Sequence, residues 1–277
     1  MNDFQQIIDS VPCATSSEGD FTEEGILHCG KCHAPKETKI SFPWGEQVVR
    51  TMCKCEQEEF RKRTEEEKNR RRMEYVESIR DTLIPRGLRG ATFANDNGSN
   101  PELTERAKRY ADKWDEIKEK NIGLLFWGGT GNGKTYTAAC VANALIDKGI
   151  PAIVTSFSTI LGKGIEERED YIQSLNRYEL LVLDDLGAER NTPFAMEVVY
   201  RVIDDRYTSG KPMIVTTNLT LEQMKKADGL GVDYQRIYDR VLGMCIPLHF
   251  KGASVRGQIA EDKLAAAKSI LSGGDEA

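Results

Sequence analysis

Residues 128–139 read "GGTGNGKTYTAA" and stand directly behind the apolar run "GLLFW", residues 123–127. Gly128, Gly133, Lys134 and Thr135 complete the pattern Gly-x-x-x-x-Gly-Lys-Thr, and an apolar strand before it and a helical pattern after it supply the context that this pattern requires. Glycines let the backbone curl until successive N–H groups face inward on phosphate oxygens. The helix that follows presents its positive N-terminal end to the same anion. Lys134 can reach β- and γ-phosphates, and the Thr135 hydroxyl can ligate Mg²⁺. The expected nucleotide-binding set is Gly128, Gly129, Thr130, Gly131, Asn132, Gly133, Lys134, Thr135 and Tyr136, and the ligand is a nucleoside triphosphate such as ATP.

Downstream the chain alternates apolar strands with helices, which predicts an α/β fold with a parallel sheet and crossover helices. "PAIVTS" (151–156), "LLVLDDLG" (180–187) and "KPMIVTTN" (211–218) read as strands, and "CIPLHF" (245–250) as a possible fifth. "KTYTAACVANALIDKG" and "PFAMEVVYRVIDDRYTSG" read as helices; "STILGKGIEEREDYIQSLNRY" reads as helical in its later part. Asp184 ends an apolar strand where a carboxylate can hold Mg²⁺, and Asp185 follows where a second can polarise an attacking water. The alternative for this Asp pair is a cap on the next turn. Asn218 ends the next strand within reach of a γ-phosphate, whereas Thr217 points away by strand alternation.

The glycine loop, "LLVLDDLG", "IVTTN", "RIYDRV" (236–241) and "GASVR" (252–256) together resemble the AAA+ ATPases. More narrowly they resemble the DnaC-type loaders of the replicative helicase and the IstB-type transposition helpers. "IPRGLRGATF" (84–93) is similar to the segment preceding the ATPase core in that group. The resemblance covers about residues 84–260. It implies a P-loop AAA+ three-layer sandwich, Asn218 as sensor 1, Arg240 as an arginine finger acting on a neighbouring subunit, and Arg256 as sensor 2. Arg236, in the same helix, is the rival finger. It also implies Mg-dependent ATP hydrolysis, self-association through ATPase domains, and loading of the replicative helicase onto single-stranded DNA. The alternatives are a transposition helper and a zinc-dependent adaptor whose nucleotide site switches with little turnover. Two departures stand out: Asp185 replaces the usual glutamate, and the region after Arg256 looks short for a full helical lid.

Upstream lies a second chemistry. Cys29-x-x-Cys32 and Cys53-x-Cys55 offer four thiolates in two tight pairs, a spacing suited to a structural zinc site. "APKETKISFPWGEQVVRT" between them can form a hairpin that brings the pairs together. His28 or His33 could replace a cysteine; a redox dithiol and an iron–sulfur cluster are the other readings. With four protein ligands the zinc would not be catalytic. Some helicase loaders are similar in carrying a zinc-binding N-terminal domain that docks on the helicase. Cys140, in a helical pattern, reads as a small buried apolar residue.

These readings divide the chain into a zinc-binding module (1–55), a charged helical linker with an entry loop (56–100) and an ATPase domain (101–277). Residues 1–25 read as a polar leader with a short apolar patch at Phe4, Ile7 and Ile8. Glu, Lys and Arg crowd "EQEEFRKRTEEEKNRRRMEYVESIRDTL" (56–83) at helical spacing, which predicts a solvated connector or a binding arm for DNA or a partner. "PELTERAKRYADKWDEIKEK" (101–120) reads as one helix and "GQIAEDKLAAAKSILSGG" (257–274) as another. At 277 residues, 39% apolar and 30% charged, the chain suits a globular protein. A net charge of −6 leaves nucleic-acid binding to a local basic patch. No apolar run approaches the roughly 20 residues that cross a bilayer, and the N-terminus lacks the pattern of a secretory signal. A cytoplasmic protein with no membrane partner is expected.

Overall fold

The computed structural model describes residues 16–43, 45–188, 192–226 and 232–252, side chains of 232 and 233 excepted, together with 254, 257, 263, 264 and 267. The apolar patch at Phe4, Ile7 and Ile8, Cys13, Arg256 and most of the C-terminal helical pattern lie outside the described residues. The chain forms two compact units, 1–74 and 75–277.

Among the described residues the first unit opens with a hairpin, β1 (Phe21–Glu23) and β2 (Ile26–His28), closed by Glu24 and Gly25. Both turn residues have positive φ, 50° and 73°, which is the backbone twist that a two-residue hairpin favours. This hairpin falls largely in the stretch read as a polar leader. Glu24-Gly25 was the available signal. A second hairpin, β3 (Glu37–Phe42) and β4 (Gly45–Arg50), forms between the cysteine pairs as expected. Asp20 and Lys36 make a buried ion pair at 2.7 Å. The Asp20 carboxylate also accepts the Gly30 and Ser17 N–H groups, and together with Lys36 these hold its pKa down to about 2. Helix α1 (Lys54–Leu83) carries the charged run, and its Arg61–Glu58, Arg63–Glu59 and Arg71–Glu67 pairs are exposed. Such pairs each contribute only a few tenths of a kcal/mol, so this is the solvated helix that its composition predicts.

In the second unit the chain passes through α2 (Pro101–Asp112) and α3 (Trp114–Glu119). The single helix expected here breaks at Lys113, whose ψ of 27° leaves the helical region. Five parallel strands follow: β5 (Gly123–Gly128), β6 (Ala152–Ser156), β7 (Leu180–Leu186), β8 (Met213–Thr217) and β9 (Cys245–Phe250). Their order in the sheet is β6-β7-β8-β5-β9. Pro247 is tolerated in β9 because this strand lies at a sheet edge.

Strand alternation sends neighbouring side chains to opposite faces. Phe126, Val154, Val182 and Ile214 meet Val141, Leu145 and Ile146 of α4 (Lys134–Asp147). On the other face Leu125, Leu183, Met213 and Val215 meet a second helical layer. That layer contains α5 (Phe157–Leu161), α6 (Ile165–Leu175), α7 (Pro193–Ser209) and α9 (Val232–Met244). Helix α8 (Leu221–Lys225) is a single capped turn between β8 and α9. The result is the three-layer α/β sandwich that the sequence implied. Gly162 ends α5 and Gly164 begins α6, so the later part of this stretch is helical as expected and a short helix precedes it.

The most deeply buried charged residue among those described is Arg206. Arg206 is fully buried, and its guanidinium donates to the Tyr178, Glu179 and Pro212 carbonyls at 2.6–3.2 Å. Burial pulls its pKa down to about 10, so it stays charged at neutral pH and ties the end of α7 to two loops.

Candidate nucleotide site and thiol cluster

The loop Gly128–Gly133 connects β5 to α4 at the carboxyl ends of the strands, where ligands bind in open α/β sheets. Gly128 lies so close to β9 that a Cβ would collide with the Phe250 carbonyl, and its φ is 142°. Gly133 takes a left-handed φ of 88° immediately before the helix, so that α4 can start at Lys134 with its N–H groups turned toward the loop. Asn132 donates to the Phe250 carbonyl at 3.1 Å, and Asn100 donates to the Asn132 carbonyl at 3.2 Å. These two bonds hold the loop from either side. The sequence offered no local signal for Asn100.

The entry segment is fixed to α4. Asn143 donates to the Leu88 and Ala91 carbonyls, and the Tyr136 hydroxyl donates to the Thr92 carbonyl at 3.2 Å. Cys140 is buried beside Ala91, and burial pushes its thiol up to about 12. That suits the apolar reading of Cys140 and excludes a ready thiolate.

The polar groups expected at the site converge. Lys134 Nζ donates to the Gly128 and Gly129 carbonyls and, at 2.9 Å, to Asn218 Oδ1. Asn218 is exposed, and with Oδ1 engaged its amide N–H₂ is the end left for an acceptor such as a phosphate. Thr135 donates to Asp184 Oδ1 at 2.7 Å, which turns its oxygen lone pairs outward. A carboxylate and a hydroxyl so joined form a donor set that fits Mg²⁺, a hard cation taking oxygen ligands. Thr217, as alternation predicted, turns away and donates to the Leu186 carbonyl.

Asp185 is exposed and has φ 56°. The β7–β8 ladder is interrupted between Leu183 and Leu186, so Asp185 lies in a β-bulge that re-aims its side chain. Such bulges cluster beside active sites. Ser254 packs against Gly131, where a Cβ would meet its side chain, so position 254 lies beside the loop.

Arg240 is engaged within its own chain. Its Nε lies 2.7 Å from Asp204 Oδ1, its Nη2 donates to the Tyr200 hydroxyl, and its guanidinium covers the Tyr200 ring at 4.7 Å. Arg236, one turn earlier, is exposed.

In the first unit the sulfur atoms of Cys29, Cys32, Cys53 and Cys55 all lie within 4.8 Å of one another. Four thiolates on a tetrahedral zinc at about 2.3 Å stand roughly 3.8 Å apart, so the donor set and its spacing fit Zn²⁺. Neither histidine belongs to this group. His28 stacks on Phe21 at 5.4 Å and its Nδ1 faces the Ile26 carbonyl, and His33 approaches the same ring. Ala34 and Cys55 backbone N–H groups hold the Cys32 thiol down to about 6, while the neighbouring thiols and burial push Cys55 up to about 11.

A parallel sheet with this loop and these carboxylates defines a P-loop ATP-binding protein of the AAA+ class. The sequence profile described as "IstB-like ATP binding protein" matches residues 105–263, more than half of the chain, and the chain belongs to that family. Its relatives include the replicative helicase loader DnaC of Escherichia coli K12, 26% identical over 164 residues, 56% of this chain and 63% of DnaC. The replicative helicase loader DnaI of Bacillus subtilis 168 is 25% identical over 193 residues, 64% of this chain and 62% of DnaI. The match therefore spans less than two thirds of either loader. The uncharacterized protein YdaV of E. coli K12 is 29% identical over 233 residues, 80% of this chain and 87% of YdaV. In three dimensions the chain is similar to the crystal structure of the DnaC helicase loader, with a TM-score of 0.50 and 23% identity over 60% of this chain and 100% of that one. The crystal structure of DnaI gives 0.50 and 22% over 62% and 93%. At that identity the likeness speaks for the fold. No helix among the described residues is long and apolar enough to cross a membrane.

Proposed function

We propose that this protein is an Mg-dependent ATPase that loads a replicative DNA helicase onto single-stranded DNA. The observation that carries the ATPase reading is the pair of links Thr135–Asp184 and Lys134–Asn218, which join the phosphate loop to the ends of β7 and β8 in one site. The loader reading rests on family membership and on the DnaC and DnaI relatives.

In this reading the loop N–H groups and Lys134 bind the phosphates, and Lys134 exchanges its loop carbonyls for β/γ oxygens. Thr135 and Asp184 would hold Mg²⁺, which supplies neutralisation of the developing phosphate charge. Asp185 accepts a proton from the attacking water, and its short side chain predicts slow basal turnover. Asn218 donates to the γ-phosphate and so couples phosphate loss to β8. Arg256 acts as sensor 2. A neighbouring subunit contributes Arg240, which must first leave Asp204 and Tyr200; Arg236 is the alternative finger.

The thiol cluster would hold a structural zinc in a module, residues 1–55, that grips the helicase, with residues 56–100 as linker and 101–277 as the ATPase domain. The test is reconstitution with the replicative helicase of the same cell on circular single-stranded DNA. ATP-dependent helicase deposition by the native protein and none by Lys134→Ala is expected. No ATP-dependent deposition by the native protein, or deposition by Lys134→Ala equal to it, would overturn the loader reading.

A further inference from the structure

We infer that Thr216 is a positioning residue for the hydrolytic site, one hydroxyl that sets both carboxylates of the Asp184–Asp185 pair. The inference rests on the nucleotide-site reading above. Thr216 is wholly buried in β8, two residues before Asn218 and on the same face of the strand. Its Oγ1 donates to Asp184 Oδ1 at 2.6 Å and accepts the Asp185 backbone N–H at 3.0 Å.

Each bond has a separate consequence. Asp184 Oδ1 also accepts the Thr135 hydroxyl proton at 2.7 Å, so two O–H donors occupy this oxygen. At 2.6–2.7 Å both are charge-assisted bonds of the strong kind. Among the described residues Oδ2 accepts no hydrogen bond, so the two hydroxyls orient the carboxylate with Oδ2 outward, available to a cation.

The second bond acts on the backbone. Interruption of the ladder between Leu183 and Leu186 takes the Asp185 N–H out of regular pairing, and the Thr216 hydroxyl is the acceptor that replaces it. The left-handed turn at φ 56° is thereby held in the direction that exposes the Asp185 side chain. A purely structural threonine would need only one of these bonds to be satisfied. Thr216 uses its proton on one aspartate and a lone pair on the other.

Thr216→Val keeps the shape and removes both bonds; Thr216→Ser keeps the hydroxyl and removes the methyl. Outer-shell groups around metal ligands are worth about 10–100-fold in affinity or activity. In Thr216→Val the Mg²⁺ concentration for half-maximal binding of a non-hydrolysable ATP analogue should rise about tenfold or more. Analogue affinity without Mg²⁺ should stay within about twofold, because Lys134 and the loop are untouched, and kcat should fall with KM little changed. In metal-free protein the Asp185 amide should lose hydrogen-exchange protection in Thr216→Val and keep it in Thr216→Ser. Thr216→Ser should restore metal dependence to within about threefold. If the valine variant does not fold, Thr216→Ala gives the same comparison at smaller volume.

Native metal dependence and native Asp185 protection in the folded valine or alanine variant would overturn the inference. So would a serine variant as impaired as valine, which would assign the effect to methyl packing. If the native protein and Lys134→Ala bind the analogue equally, the nucleotide-site reading itself fails and takes this inference with it.

Discussion

Replacing Asp185 by Gly and by Ala isolates the backbone strain of the bulge from its chemistry. Both variants lack the carboxylate, and the side chain is exposed, so neither leaves a buried cavity. They differ in the cost of φ 56°. A left-handed residue with a Cβ costs about 1–2 kcal/mol, and glycine gives back roughly 0.5–1 kcal/mol through its freer unfolded chain. Gly should therefore be the more stable variant by about 0.5–1 kcal/mol, the reverse of the order at an ordinary strand position. For a unit of about 200 residues each kcal/mol moves Tm by about 2–4 °C, so the Gly variant should melt roughly 1–4 °C above Ala. Asn tolerates the left-handed region and should fall near the native protein. Val, branched at Cβ, should be the least stable of the set. Calorimetry gives the order, and single-turnover assays should find ATP bound but not hydrolysed in both the Gly and Ala variants. A Gly variant less stable than Ala would refute the bulge as the source of Asp185's placement.

Three other outcomes follow from the structure. Arg206→Met should leave the Tyr178, Glu179 and Pro212 carbonyls unpaired; at about 1–3 kcal/mol for each buried acceptor left unsatisfied, Tm should fall by roughly 10 °C or more, with nucleotide affinity of the folded fraction unchanged. Metal analysis of reductant-treated protein should give about one zinc per chain, and Cys32→Ser should lose the zinc and helicase binding while the second unit still binds ATP. Arg240→Ala should bind ATP and lose stimulation by DNA or helicase. Mixing it with Lys134→Ala should restore turnover, since neighbours then pair an intact loop with an intact finger. Fingers in trans elsewhere contribute about 10³–10⁵ in rate, and the short Asp185 predicts a smaller factor. Rescue of Arg236→Ala but not of Arg240→Ala would reassign the finger.

Legibility in the sequence followed the range of the interactions. The phosphate loop, the five strands and the cysteine cluster are written in contiguous residues or fixed spacings, and each appears where expected. Glu24-Gly25 carries a local turn signal inside a stretch that reads as a polar leader, and it closes β1 to β2 by the same positive-φ logic that marks Gly133. Asn100, Asn143, Arg206 and Thr216 left no trace, because each acts through hydrogen bonds to residues distant in sequence or on another element. A threonine inside "IVTTN" is indistinguishable from an ordinary strand residue until β7 is laid beside it. The bulge at Asp185 likewise exists only in the pairing of β7 with β8. The cis engagement of Arg240 by Asp204 depends on α9 packing against α7, which helical periodicity in either segment does not specify.

The central claim is that Lys134, Asp184 and Asp185 make one site that binds Mg-ATP and cleaves it. Equilibrium binding and single-turnover hydrolysis of ATP, measured side by side on the native protein, Lys134→Ala and Asp185→Asn, test it most directly. The account predicts that Lys134→Ala loses binding, and that Asp185→Asn binds as the native protein does and fails to hydrolyse. Native turnover by Asp185→Asn, or native affinity in Lys134→Ala, would contradict it.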